Sequence, residues 1–321
     1  MYVLKRICIQ PCADAGSRYC PCHLAYSGDC IQCSLIQGSK TCDCIWQGVC
    51  IYNELMHNRN IPSNEKMDIL CDIQTKQEIL EDIYLLEIKT PKKLLEELVN
   101  PGSYIILRCE DKVDSRYNVP ISVMDIDIEN EILTVVVKEV GHKTKSLLSF
   151  DKIWVRGPYL NGVFGLKEFK LTSNSNVAVI LSGLSQVNAP KIIKYLQKNN
   201  NNVEVFIDSR RTIVNQVVEK IKELDVNIHI INTKEDEQLI KDYIVRNNVK
   251  LVYSGGFNKF NKEIMELVDS IDENIRFTIA NNNLIVCAEG ICGGCTVVVN
   301  GKRVKSCKAQ IDARDYLKSL K

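Results

Sequence analysis

This sequence predicts an α+β chain of several domains: an antiparallel β-barrel, then a doubly wound parallel α/β domain, with cysteine-rich segments framing both. Three observations carry that expectation. Between residues 66 and 166, five runs rich in β-branched residues (MDILCDIQ, DIYLLEIKT, SYIILRCE, ISVMDIDI and EILTVVVKEV) are separated by turn signals such as Pro101-Gly102 and Glu129-Asn130. Five or six short strands in about a hundred residues suit a small barrel. From residue 176, continuous apolar runs alternate with helical patterns, the signature of a parallel sheet buried on both faces. Finally, nine of the fifteen cysteines fall within the first fifty residues and four between 287 and 307, leaving only Cys71 and Cys109 isolated.

These features divide the 321 residues into segments 1–65, 66–170, 171–279 and 280–321. The first has Gly, Ser, Asp and Gln between its cysteines and too few apolar side chains for a core of its own, so a metal bound to the sulfurs is expected to order it. A brief helix, KTKSLLSF, should follow Gly141. In the third segment NVAVILSG, NVEVFIDS, NIHIIN, KLVYSGG and RFTIA read as strands. KIIKYLQKN, TIVNQVVEKIKEL, EQLIKDYIVRN and KEIMELVDSI read as the helices between them. The last segment holds a strand pair around TVVVNGKRVKS and a polar helical tail.

Forty-one basic against forty acidic residues leave a formal charge of +1, with no basic excess to displace counterions from nucleic acid. No run of eighteen apolar residues offers a membrane span. The start, MYVLKRICIQPC, lacks the pattern of a secretory signal, so a cytoplasmic protein is expected. Thiols are kept reduced there, and clustered thiols then point to metal or redox chemistry rather than disulfides.

Cys287-Ala-Glu-Gly-Ile-Cys292-Gly-Gly-Cys295 has the spacing C-x4-C-x2-C, and Cys307 follows. This is the plant-type spacing for four thiolates on a 2Fe–2S cluster. Gly290, Gly293 and Gly294 let the loop wrap closely and leave backbone N–H groups free for the sulfurs. Four cysteines could also hold structural zinc, although zinc sites usually pair two C-x2-C knuckles.

A strand-rich barrel, a doubly wound domain and a C-terminal C-x4-C-x2-C…C together resemble the ferredoxin–NADP reductase superfamily. Within it, the chain is similar to the electron-transfer subunits of dihydroorotate dehydrogenase and their sulfide-dehydrogenase-like relatives. The resemblance covers about residues 66–310 and implies FAD bound between barrel and second domain. Of the family's Arg-Pro-x-Ser element, Pro120 and Ser122 are present, but Val119 stands at the arginine position. The Gly-x-x-Thr element is matched by Gly141-His142-Lys143-Thr144, an anion site at a helix start where Lys143 or Lys145 could restore positive charge. Gly157-Pro158-Tyr159-Leu160-Asn161-Gly162 corresponds to Gly-Pro-x-Gly-Asn-Gly, and Pro101-Gly102-Ser103-Tyr104 to a Pro-Gly-x-aromatic turn. The resemblance therefore implies Pro120, Ser122, Gly141, Lys143, Thr144, Gly157, Asn161 and Gly162 as the flavin set. Each piece alone could be an ordinary turn.

The family's nicotinamide loop, Gly-Gly-Gly-x-Gly-x-Ala-Pro, reads here Gly183-Leu184-Ser185-Gln186-Val187-Asn188-Ala189-Pro190. Leu184, Ser185 and Val187 fill three glycine positions, and the later Cys-Gly-Pro element has become Ser254-Gly255-Gly256. A domain that keeps its fold but has a weak or lost NAD(P) site is expected. Arg210 and Arg211 follow a strand end where relatives contact the ribose; a solvated turn is the plainer reading.

Cys8, Cys12, Cys20, Cys22, Cys30, Cys33, Cys42, Cys44 and Cys50 lack the bacterial C-x2-C-x2-C run. They are candidate ligands for one or two 4Fe–4S clusters or for zinc, with His23 nearby; Cys30 and Cys33 could instead form a dithiol relay. Trp46 and Tyr26 are candidate shields for such a site. The expected function is electron relay to or from a catalytic flavoprotein subunit resembling dihydroorotate dehydrogenase, a glutamate synthase small subunit or a thioredoxin reductase, with ferredoxin a further candidate. The chain would be an oxidoreductase subunit rather than a complete enzyme. The rivals are a self-sufficient NAD(P)H-dependent reductase and a non-enzymatic metal-binding scaffold.

Overall fold

The computed structural model describes residues 12–44, 46, 48–63, 65–109 and 118–320. Two short helices, α1 (His23–Tyr26) and α2 (Ile51–His57), lie in the N-terminal segment. Ala25, Cys30, Cys33, Ile51 and Leu55 bury one another there. This corrects the expectation that the segment gathers no core of its own: few apolar residues suffice because the thiols themselves pack as small hydrophobes.

The barrel is closed by six antiparallel strands in the order β1-β2-β5-β4-β3-β6. They are β1 (Asp68–Leu80), β2 (Ile83–Lys89), β3 (Tyr104–Cys109), β4 (Val119–Asp127), β5 (Ile132–Lys138) and β6 (Lys152–Tyr159). The strand absent from the sequence reading is β6, whose end is the Gly157-Pro158-Tyr159 stretch taken for a turn. Alternate residues such as Leu86, Ile88, Val123, Leu133, Val135, Ile153 and Val155 fill the interior. Helix α3 (Lys92–Leu98), also unforeseen, buries Leu94, Leu95 and Leu98, and α4 (His142–Leu147) follows Gly141 as expected.

A short strand, β7 (Val163–Phe164), and α5 (Leu166–Lys170) lead into the second domain. Its core strands are β8 (Asn176–Ser182), β9 (Asn202–Asp208), β10 (Asn227–Ile231), β11 (Leu251–Gly255) and β12 (Arg276–Ala280). Between them run α6 (Ala189–Lys198), α7 (Asn215–Lys222), α8 (Glu237–Arg246) and α9 (Asn258–Asp269). The sheet order β10-β9-β8-β11-β12-β7 is parallel except for β7. The strand order reverses between β8 and β11, and in open α/β sheets ligands bind in the crevice at that switch point. The hairpin of β13 (Thr296–Val299) and β14 (Lys302–Lys305) and helix α10 (Ala313–Ser319) complete the chain. Among the described residues no helix is long and apolar enough to cross a membrane.

Candidate metal centre and flavin surface

Beyond β12 the chain enters the loop that carries three of the four C-terminal cysteines. Ala288, Gly290 and Gly293 have φ of 57°, 77° and 72°, a left-handed backbone that turns N–H groups inward. Glu289 and Cys292 N–H point at the Cys287 sulfur, at 3.4 and 3.5 Å, and Gly294 N–H points at the Cys292 sulfur at 3.5 Å. At Gly290 a Cβ would lie 2.8 Å from Leu24 Cδ1 of α1, and its φ of 77° is one that residues with a side chain rarely adopt. The β13–β14 hairpin starts just after Cys295 and returns just before Cys307. Ser306 fastens its base, its N–H and Oγ both donating to the Cys295 carbonyl, at 3.1 and 2.9 Å.

The quartet is thereby gathered as two pairs, with thiol–thiol hydrogen bonds between Cys287 and Cys292 and between Cys295 and Cys307. The hydrogen bond from Cys307 pulls the Cys295 thiol down to about 6. The same bond, followed by burial, raises Cys307. Burial raises Cys287, but the N–H groups of Cys292 and Glu289 outweigh it and hold that thiol below its ordinary value. Two dithiol pairs facing inward N–H donors suit a 2Fe–2S cluster, in which four thiolates serve two irons.

Tyr104, Ile106, Tyr159, Ile285 and Ala288 bury Cys295 and Cys307. The Tyr104 and Tyr159 rings stack with centroids 5.3 Å apart. The Tyr104 hydroxyl is buried and makes no hydrogen bond among the described residues. A donor left over in a pocket with two cluster thiols fits an electron-rich group bound there. The sequence places Tyr104 at the start of a barrel strand, after the Pro101-Gly102 turn; its place against the cysteines is legible only in three dimensions.

The residues expected around the flavin divide into two groups. Ser122 is exposed on β4, in register with Tyr104, and Pro120 lies two residues earlier on the same strand. Gly141 and Lys143 are exposed, and open space surrounds the position of a Gly141 Cβ. Thr144 Oγ1 accepts from the N–H groups of Val140 and Gly141, at 2.9 and 3.2 Å, and fixes the start of α4. Ser122, Gly141 and Lys143 are thus exposed, and Pro120 and Thr144 partly so.

Gly157, Asn161 and Gly162 are used by the fold itself. A Cβ at Gly157 would approach Ile105 Cγ2 at 3.2 Å, and one at Gly162 would lie 2.5 Å from the Gly102 carbonyl oxygen. Asn161 is fully buried; its amide donates to the Ser306 and Ala309 carbonyls, at 2.5 and 2.8 Å, and it accepts from Gln310. Asn161 thus pins the barrel's exit to the base of the cluster hairpin, a role the sequence did not signal.

At the sheet's switch point the crevice is filled. Residues Gly183–Asn188 form a 3-10 helix instead of an open glycine loop. Gln186 is fully buried, its amide donating to the Gly183 and Thr212 carbonyls, at 2.7 and 2.9 Å, while its oxygen accepts from Val214 N–H at 3.0 Å. Val187 is buried in one core with Met124 of the barrel. Ser254 donates to Asn261 at 2.8 Å, and Gly255 faces the Ser185 carbonyl. Arg210 lies exposed in a turn, as expected, and there it donates to Asp208 at 2.8 Å and to Thr233 at 2.7 Å. Arg211 stacks on Phe257 with 5.1 Å to the ring centre. Beside them Asp208, Arg210, Arg211, Phe257, Lys259 and Glu263 line a cavity of about 240 Å3.

The N-terminal segment lies against the cluster loop. Cys12 bridges to Ala309, Ala13 N–H donates to the Lys308 carbonyl at 2.7 Å, and His23 Nε2 is 3.1 Å from the Glu289 carbonyl oxygen. Cys30 and Cys33 are buried, Cys42 and Cys50 exposed, and Cys12, Cys20, Cys22 and Cys44 between these extremes. Cys8 lies outside the described residues. Burial, with the Asp14 charge second, pushes the Cys12 thiol up to about 12. Among the described residues no three His, Cys, Asp or Glu side chains are drawn together around a point that one metal ion would fill. Tyr26 is 65% exposed and shields nothing, whereas Trp46 packs against Gly16 and Gly48.

Residues 191–319 match a family model described as a 2Fe–2S iron–sulfur cluster binding domain. A dihydroorotate dehydrogenase B (NAD(+)) electron transfer subunit homolog of Thermotoga maritima is 25% identical over 250 residues, spanning 74% of this chain and 83% of its own. A probable electron transfer subunit of the same enzyme from Pyrococcus furiosus is 26% identical over 64% of this chain and 77% of its own. An uncharacterised protein of Clostridium beijerinckii is 22% identical over 73% of this chain and 82% of its own. In three dimensions, a chain solved in a study of NADH-dependent reduced ferredoxin–NADP oxidoreductase superposes with a TM-score of 0.59 at 20% identity, covering 78% of this chain and 93% of that one. The barrel, the doubly wound sheet and the thiol quartet thus fall together: the chain shares the fold of that solved oxidoreductase chain, its C-terminal part matches a 2Fe–2S cluster binding domain, and over most of its length it is similar to the electron transfer subunits of dihydroorotate dehydrogenase B.

Proposed function

We infer that this chain is a wiring subunit: it relays electrons between FAD on its barrel and the 2Fe–2S centre, and exchanges them with a separate catalytic flavoprotein. One observation carries the reading. Ser122 on the proposed flavin surface is paired in register with Tyr104, and Tyr104 is packed with Cys295 and Cys307. A single strand-to-strand step therefore separates the two proposed sites. FAD, held by Pro120, Ser122 and the Gly141–Thr144 turn with Lys143, would supply conversion between two-electron and one-electron chemistry. The protein's own part is to hold the thiols in pairs, keep Tyr104 and Tyr159 between the sites and exclude water from Cys295 and Cys307.

The filled crevice supports a degenerate NAD(P) site, since Gln186 and Val187 stand where a dinucleotide needs bare backbone. Electrons would then enter through a partner. Cys292 is exposed, and beside it Ile291 is 65% exposed, an apolar rim at which such a flavoprotein would reach the cluster. The N-terminal thiols are proposed as ligands of a further 4Fe–4S or zinc centre on the same module.

Anaerobically purified chain should contain FAD, iron and acid-labile sulfide, and its flavin should bleach with dithionite but not with NADH or NADPH. Bleaching by a nicotinamide alone would select a self-sufficient reductase. Zinc at both cysteine groups without flavin would select a scaffold.

A further inference from the structure

Five charged side chains meet under the cluster loop, Asp14, Lys66, Arg156, Glu289 and Lys308, with Arg156 Nη2 3.8 Å from Glu289 Oε1. Lys308 Nζ lies 2.6 Å from Asp14 Oδ2 and 3.1 Å from Glu289 Oε2. Lys66 Nζ lies 3.2 Å from the same Asp14 oxygen. Tyr159 donates to Glu289 Oε1 at 2.9 Å. The Lys308 side chain is 1% exposed and that of Asp14 5%. Burying such charges yields little net stability compared with apolar packing, so stability alone does not account for them.

Their position relative to the thiols does. Lys308 directly follows Cys307, and its chain runs past Gly290, 3.2 Å from where a Cβ there would stand. Glu289 sits inside the Cys287–Cys292 loop. Asp14 alone comes from the N-terminal segment, which reaches this point through the Cys12–Ala309 bridge and the Ala13–Lys308 hydrogen bond. Reduction adds one negative charge to a cluster, so a fixed cation beside it favours the reduced form and an anion opposes it.

We propose that the N-terminal cysteine segment sets the reduction potential of the 2Fe–2S centre, by placing Asp14 against Lys308. Asp14 and Lys308 are positioning residues that act through the electric field at the cluster. The segment is then a control element whose docking lowers the potential, because Asp14 cancels part of the Lys308 charge. The proposal rests on the 2Fe–2S assignment of the quartet.

The test is an anaerobic redox titration of the full-length chain, followed by the paramagnetic signal of the reduced 2Fe–2S centre. Asp14→Asn is expected to shift the reduced-to-oxidised ratio about tenfold toward reduced at a fixed poise, about 59 mV upward for one electron. Lys308→Gln should move it the opposite way by a similar factor, and the double variant should fall between. Lys66→Gln leaves Asp14 less neutralised and should also lower the potential. Variants with full cluster content and an unmoved or reversed midpoint would overturn the proposal. So would Asp14→Asn protein that keeps its circular dichroism but loses the cluster, since Asp14 would then be merely structural. A wild-type chain without any 2Fe–2S signal removes the cluster assignment itself, a failure distinct from an unmoved midpoint.

Discussion

The cluster loop and the crevice above the parallel sheet occupy comparable places, each following a strand of the same domain, yet they are built in opposite ways. The loop keeps Gly290 and Gly293 in a left-handed backbone and aims N–H groups at sulfur. The crevice carries side chains instead, and Gln186 there donates to the Gly183 and Thr212 carbonyls and accepts from Val214 N–H. A binding site on this fold therefore depends on what the backbone leaves uncovered, and the same sheet supports either outcome.

The sharpest break in that contrast is Gly290→Val. The new side chain would face Leu24 at contact distance in a backbone with φ of 77°, a strain of about 1–3 kcal/mol. Loss of most cluster absorbance and a lower melting temperature are expected; a fully loaded, equally stable variant would show that the loop does not need glycine. In the opposite direction, the combined change Leu184→Gly, Ser185→Gly and Val187→Gly should reopen the crevice. NADH affinity by calorimetry should rise at least about tenfold, or about 1.4 kcal/mol, from a wild type that does not bind at micromolar concentration. Micromolar binding to the wild type would end the contrast.

Acid should separate the two regions. Asp14 and Glu289 are buried, which raises them, but Lys308 and Lys66 outweigh this and hold both carboxyls below their ordinary range. Their stabilisation is complete above the unfolded carboxylate values, about 4, and is lost as pH falls through the lower folded values. Proteolysis between residues 12 and 65 should therefore accelerate below about pH 4 before the α/β domain unfolds.

The smallest effect concerns Lys191 on α6. Its amine donates to Ser103 and to the Leu98 carbonyl, tying α6 to the barrel, and burial lowers it to about 7. Folding thus favours the neutral amine, so this group's contribution to stability increases as pH rises above about 7 toward the free-lysine value. Urea midpoints at pH 7 and about 8.5 should reveal that increment in the wild type but not in Lys191→Met.

Much of this architecture was legible because local signals and tertiary roles agreed. The apolar run of β8 is buried along its length, and the C-x4-C-x2-C spacing with its glycines lies in the left-handed loop it implied. What escaped the sequence were buried polar residues whose partners lie far away in the chain. Asn161 meets Ser306 and Ala309, Lys191 meets Ser103, and Lys308 meets Asp14. Each reads locally as an ordinary turn or surface residue. The sixth barrel strand was missed for a related reason: Gly157-Pro158 ends it with a turn signal, although Ile153 and Val155 already alternate inward.

The most direct test of the whole account is the low-temperature paramagnetic spectrum of dithionite-reduced protein, recorded for wild type and Cys295→Ser with iron, sulfide and zinc assayed on the same samples. A 2Fe–2S signal in the wild type that Cys295→Ser abolishes or shifts is the predicted result. Zinc in place of iron and sulfide, or a signal indifferent to the loss of Cys295, would contradict it.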